Sequence, residues 1–397
     1  MTTITDLPVE IIDKFADDFA KVQDLCNARL TCRLFGNIFR HRVFKTIVLD
    51  FSDLKNVPRL IELANGPSDI HFYARTLKIR CLAPAGSGFV LQIRFEARGT
   101  WGYPQGSMQS DIHRALRTIT RYLPNGLRHF HHLENVSWRT TGIDMNCMYA
   151  PIMDLLCSQE NLYKIHIDMA SDLRVPYPDF SRLSKLTEFS VVFPRRHIPS
   201  GPLFRGVAQA LTNSPGLTSL RLEIQPNPTH PDLIEFDHVY ESIRSLCNLE
   251  ALSLIIPTIT SLNEFAVFDN MARLTTLELH PTNHTNGWDE VWKYLRDRQI
   301  HLKVIAFNIV FMEMNFIDYL KSYSGAEELR LSNNEKLWVD DSIDRTALGI
   351  AFFEVVEEKH WDSILVLETS FHLKLDPWRS VKRSYANFPN LEIMSPM

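Results

Sequence analysis

A chain of 397 residues, 45% hydrophobic and 22% charged, is long enough for two or three folded domains and too apolar to be largely disordered. Its 42 Lys and Arg against 47 Asp and Glu leave a net charge of −5, so no overall basic field exists to hold nucleic acid or an anionic membrane. No Gly-rich phosphate loop, CxxC pair, metal-ligand spacing or nucleophile elbow occurs, which points away from an enzyme and from any metal or other cofactor.

The opening residues, 1–15, have neither the basic n-region nor the apolar h-region of a secretory signal. No apolar run approaches the ~20 residues of a bilayer-spanning helix. The expectation is a cytoplasmic and/or nuclear chain without membrane contact. In chain order, Asp6 reads as the N-cap of a first helix, with Pro8 in its first turn. Ile11, Ile12, Phe15 and Phe19 give that helix an apolar side. A second helix, Val22–Leu30, carries Leu25, and a third near Cys32–Phe39 carries Leu34, Phe35 and Ile38. Three helices this short enclose little core, so part of their apolar surface is expected to face a partner.

The run L-P-x-E-I-I, followed by D-L-C-N-A-R-L-T-C-R-L-F-G-N-I, resembles the F-box motif. The match rests on Leu7, Pro8, Glu10, Ile11, Ile12, Asp24, Leu25, Arg29, Leu30, Cys32, Arg33, Phe35 and Ile38. The resemblance implies an F-box domain over 1–43 that docks a Skp-type adaptor and, through it, cullin and RING subunits. It places Leu7, Pro8, Ile11, Ile12, Phe15, Leu25, Leu30, Cys32, Phe35 and Ile38 at or near the adaptor surface, with helix packing claiming some of them.

From Phe44 onward one pattern recurs: an apolar residue, two variable, an apolar residue, one variable, an apolar residue. Loose copies are Phe44/Ile47/Leu49, Ala74/Leu77/Ile79 and Leu133/Val136/Trp138. Clear ones start at Leu162, Leu186, Leu217, Leu249, Leu274 and Leu302, with a weaker one at Ala326, spaced by 24, 31, 32, 25, 28 and 24 residues. Further copies lie near Trp361/Ile364/Val366 and from Leu391. Periods of ~20–50 residues mark solenoids. Helix-period stretches lie between the triplets: Ser110–Leu123, stopped by Pro124, then Leu203–Leu211, Asp237–Leu249, Asn263–Leu274, Trp288–Arg298 and Phe316–Tyr323. Residues 82–109 break the period and read as an irregular insertion.

The units resemble the leucine-rich repeat, L-x-x-L-x-L-x-x-N/C-x-L, in a degenerate form. Asn334 is the one clear closing Asn; Pro194, Pro226, Pro257 and Pro281 end other strands instead. The expected fold is α/β, a three-helix F-box followed by a strand–turn–helix solenoid over 44–397. The chain as a whole resembles a fungal-type F-box protein with leucine-rich repeats, which implies the substrate-recognition subunit of an SCF-type E3 ubiquitin ligase. The alternative is a repeat scaffold that binds the adaptor without directing ubiquitin transfer.

In a solenoid the outward strand positions form an extended binding surface. Here they are His166, Asp168, Ser190, Arg221, Glu223, Ser253, Glu278, His280, Asn308, Arg330 and Ser332. His166, Asp168, Arg221, Glu223, Glu278, His280 and Arg330 are the candidate contacts to a protein substrate. Two charged segments, basic Arg182–Arg205 and acidic Glu335–Glu358, are either solvated loops or a two-toned surface that steers binding. The cluster His129-Phe130-His131-His132 reads as a solvated loop, not a metal site.

Overall fold

The structure, a computed structural model, describes residues 7–16, 19, 21–84, 107–141, 144, 146–169, 178–193, 201–224, 237–255, 268–280, 288–308, 312–332, 345–369, 388–391 and 393–396. Asp6, the four strand-ending prolines, Asn334 and the acids of 335–344 lie outside the described residues, as does most of the insertion. The chain divides into two compact units, Met1–Leu186 and Thr187–Met397.

The first unit opens with four short helices rather than three: α1 Val9–Phe15, α2 Val22–Thr31, α3 Arg33–Ile38 and α4 Arg40–Phe44. The sequence does not predict the fourth, because Arg40-His41-Arg42-Val43-Phe44 is too short to show a helical period. Then follow β1 Thr46–Asp50, α5 Val57–Ala64, α6 Asp69–Tyr73, β2 Thr76–Cys81, α7 Ser107–Arg128, β3 Asn135–Arg139, α8 Asn146–Ser158 and β4 Lys164–Asp168. The expected insertion therefore ends sooner than 109, because α7 begins at Ser107. Nor does Pro124 stop this helix. Both Pro124 and Thr120, whose carbonyl loses its donor, lie on the exposed side of the helix, while Ile119, Leu123 and Leu127 on the other side stay buried.

The second unit comprises β5 Glu188–Phe193, α9 Gly201–Thr212, β6 Ser219–Ile224, α10 Asp237–Arg244, β7 Ala251–Ile255 and β8 Thr276–Leu279. It continues with α11 Trp288–Asp297, β9 Val304–Asn308, α12 Met314–Lys321, β10 Glu328–Ser332, α13 Arg345–Val355 with a π-turn to His360, β11 Val366–Thr369 and β12 Ile393–Pro396. Of the helix expected over Asn263–Leu274, the described part is a single 3₁₀ turn at Phe268–Asn270. Among the described residues no helix is long and apolar enough to cross a membrane.

Within each unit the strands are parallel neighbours in chain order, and the repeated triplets lie in register. In the first unit Ile47, Leu77, Val136 and Ile165 form one row, and Leu49, Ile79, Trp138 and Ile167 the next. In the second, Phe189, Leu220, Leu252, Leu277, Ile305, Leu329, Leu367 and Met394 align. That register corrects one triplet. Leu367, not Ile364, holds the middle place, so the copy is Ile364/Leu367/Thr369, and Trp361 is an exposed turn residue. The inner rows pack on helices, as in Trp138 on Tyr149 of α8 at 5.3 Å and Phe307 on Trp292 of α11 at 5.2 Å between ring centroids.

Ahead of most strands, one carbonyl accepts two successive N–H groups from the next repeat. Lys45, Arg75 and Glu134 do this in the first unit, and Thr187, Thr218, Glu250, Thr275, Lys303 and Glu327 in the second, at 2.7–3.2 Å. Buried side chains brace the turns nearby. Tyr319 Oη donates to the Ile300 carbonyl at 2.8 Å and accepts from Leu302 N at 3.0 Å. His360 Nδ1 accepts from Ala326 N at 3.1 Å while Nε2 donates to the Leu320 carbonyl at 3.1 Å. Burial lowers the His360 pKa and keeps the ring neutral.

His360→Ala leaves two buried backbone groups without a side-chain partner, and we expect it to cost about 2–4 kcal/mol in urea denaturation. The parent should also lose stability as pH falls below the ordinary histidine value of 6.5, because the unfolded chain then binds the proton that the buried ring resists. Removing His360 should flatten that part of the profile.

Candidate functional site

Two surfaces fall where the sequence places function. The first is on the N-terminal helices. Their core is small: Ile12, Ala16, Leu25, Ile38 and Phe39 are buried, with Phe19, Ala28, Leu34, Phe35 and Val43 packed against them. Phe39 meets Phe35 at 5.3 Å and Phe19 at 6.2 Å between ring centroids. Asp13 of α1 takes a two-pronged bond from Arg42 of α4, both contacts at 2.9 Å, and this bond holds the Asp13 pKa below its ordinary value. Arg29 of α2 lies over the Phe44 ring at 4.7 Å. Cys32 caps α3, its sulfur accepting from Phe35 N at 3.5 Å.

The expected adaptor residues therefore sort into two groups. Ile12 (1% exposed), Leu25 and Ile38 are core, and Cys32 and Phe35 are half-buried. Leu7, Pro8, Ile11, Phe15 and Leu30 are exposed, Leu30 by 78%. Ile11 and Phe15 follow the i, i+4 spacing of one side of α1, and exposed Leu7 precedes the helix, next to its N-cap Pro8. Ile12 and Ala16 follow the same spacing one residue on and face the core. Helix α1 is thus apolar on two sides, one packed and one open.

The second surface is the outward side of the strands. In the second unit, register sets Arg221, Ser253 and Glu278 in one row across β6, β7 and β8. Arg221 reaches Glu278 Oε2 and Glu223 Oε2, each at 3.0 Å. Ser253 Oγ donates to Glu278 Oε2 at 2.6 Å, and His280 Nε2 lies 3.4 Å from Oε1. Burial raises the Glu278 pKa, but the His280 and Ser253 hydrogen bonds and the Arg221 charge outweigh it and hold the group at about 2. Arg330 pairs with Glu328 at 2.7 Å and Glu368 at 3.8 Å. Asn308 and Ser332, also expected on this face, are instead buried as register partners at the ends of β9 and β10.

In the first unit the same side forms a groove of about 540 Å³. It holds His166 and Asp168 from the expected set, and also Asp50, Lys78, Arg80 and Arg139. The last four lie outside the expected set, whose outward positions begin at His166. The signal was present: Lys78 and Ser137 occupy the same middle place in their triplets as His166, and the register aligns all three.

The His129–His132 cluster serves packing. His129 lies edge-on to buried His71 at 5.3 Å and His132 to Phe72 at 5.9 Å, while Glu134 pairs with Arg75 at 3.4 Å. Among the described residues no group of three His, Cys, Asp or Glu side chains stands close enough to hold a metal ion. No protein-family model matches the chain, and no match to a curated protein was found.

Ile12→Ala should cost about 2–5 kcal/mol, as a buried large-to-small change does, whereas Ile11→Ser and Leu30→Ser should stay within about 0.5 kcal/mol of the parent. Chemical denaturation of the three variants checks the sorting. The acid network has the same sign as His360, over a lower pH interval. A carboxylate held at about 2 against an ordinary 4.5 gives stability that is complete above pH 4.5 and is lost as pH falls towards 2. Glu278→Gln should show a shallower loss over that interval than the parent.

Proposed function

We propose that this chain is the substrate-recognition subunit of an SCF-type E3 ubiquitin ligase. In this reading residues 1–43 are an F-box that docks a Skp-type adaptor, and 44–397 are a degenerate leucine-rich-repeat solenoid that holds a protein substrate. The chain itself binds and positions; the transfer chemistry belongs to the cullin and RING partners. The observation that carries the reading is the open apolar side of α1, Ile11 and Phe15, with exposed Leu7 just ahead of the helix, inside the segment that resembles the F-box motif. A helix in a small bundle gains nothing from a second apolar side unless another surface covers it. The parallel in-register repeats support the other half, because such a stack presents a broad strand face for a macromolecule.

Leu7→Asp with Ile11→Asp places two charges on the open side and leaves Ile12 and the core untouched. The double variant should lose co-purification with a Skp-type adaptor from cells and keep the parent's melting transition. Retained adaptor in a folded variant sinks the docking assignment. Adaptor captured by the parent without cullin or ubiquitinated species favours the scaffold over the ligase.

A further inference from the structure

The strand faces of the two units differ in how their cations are held. In the second unit Arg221 and Arg330 are each engaged by carboxylates of the same face. In the first, Lys78 and Arg80 have no carboxylate within 4.0 Å among the described residues. The two acids of the groove are already occupied. Asp50 Oδ1 accepts from Ser52 Oγ at 2.6 Å and from Ser52 N at 3.1 Å, and Asp168 pairs with Arg139 at 3.4 Å. Two cations are thus left for an outside ligand, in a groove wide enough for a few residues of peptide.

Their placement says more about that ligand. Lys78 and Arg80 both point outward from β2, two residues apart. Register runs from Leu49↔Ile79 to Asp50↔Cys81, so Arg80 is the extra residue of a bulge, a feature that re-aims side chains. Two residues of strand span about 6.6 Å. An extended peptide repeats its side chains on one side at the same interval.

We infer that this groove binds an extended acidic segment of a protein, with Asp or Glu at alternate positions facing Lys78 and Arg80. The carboxylates would replace the hydration of two cations that have no carboxylate partner among the described residues, with Ser137 and His166 of the adjoining strands lining the same groove. That this protein is a ubiquitination substrate rests on the function proposed above; the groove's preference for acidic peptide does not.

The test uses the full chain and a short labelled peptide that alternates Asp with Ser, beside its Asn-for-Asp counterpart, in fluorescence anisotropy. The acidic peptide should bind and the neutral one should not. Lys78→Glu with Arg80→Glu should weaken binding about tenfold or more, as loss and reversal of charge-assisted contacts do. Both side chains are exposed, so the melting transition should not move. An arm that needs no variant is salt, which should weaken the parent's binding as screening grows. Equal binding of both peptides, salt-insensitive binding, or unchanged binding by the double variant overturns the inference. So does binding of a phosphoserine form of the neutral peptide with none of the carboxylate form. Adaptor capture is read on the same preparations. Peptide bound without adaptor capture removes the receptor reading and leaves the groove standing; adaptor captured without peptide binding does the reverse.

Discussion

The carbonyl that precedes most of the strands is the constraint on which the rest depends. It accepts from two consecutive amides of the next repeat before the ladder proper begins. Once Thr218 holds Glu250 and Ala251, Leu252 can fall only beside Leu220, and Leu254 beside Leu222. A slip of one residue would turn the apolar row outward and bury the polar one. Backbone bonding and apolar burial therefore select the same register at every step. The repeats can consequently be degenerate in sequence: Ala, Phe, Val or Trp replaces Leu in several triplets, and the row still closes.

Fixing the inner rows also fixes the outer ones, and there the two units use the same geometry for different ends. Across β6, β7 and β8 the outward row brings together groups that neutralise one another around Glu278. Exposed pairs of this kind add little stability singly, but a shared carboxylate, mostly shielded and taking several partners, ties three strands together. Across β2, β3 and β4 the corresponding row carries Lys78, Ser137 and His166 without a central acid. The first arrangement is a closed polar lattice; the second is an open one.

The triplets were legible in the sequence because each is a local pattern, and alignment of their middle residues is enough to place Arg221 beside Glu278, 57 positions apart. Trp361 failed for a specific reason. The sequence there fits the pattern twice, from Trp361 and from Ile364, and the apolar count favours the wrong frame. What decides is nonlocal: Leu365 and Val366 both donate to the Glu327 carbonyl, and His360 clamps the preceding turn to Ala326 and Leu320. Pro124 misled differently. The proline penalty depends on whether the orphaned carbonyl is sealed in the core, and α7 puts Thr120 and Pro124 on its exposed side. Among the N-terminal residues, motif resemblance grouped Ile11 with Ile12, whereas a rotation of ~100° per residue sends them to opposite fates.

The two-sided character of α1 has a consequence for the life of the chain in a cell. In the reading proposed above, one side of the helix is finished by folding and the other only by association with the adaptor. A freshly made copy therefore carries a sticky, degradation-prone helix until a companion arrives, and copies that never find one meet each other or the quality-control machinery. The amount of usable protein is then set by the supply of its companion as much as by its own synthesis. Recombinant yield should follow the same rule, with co-expression counting for more than any stabilising change in the repeats.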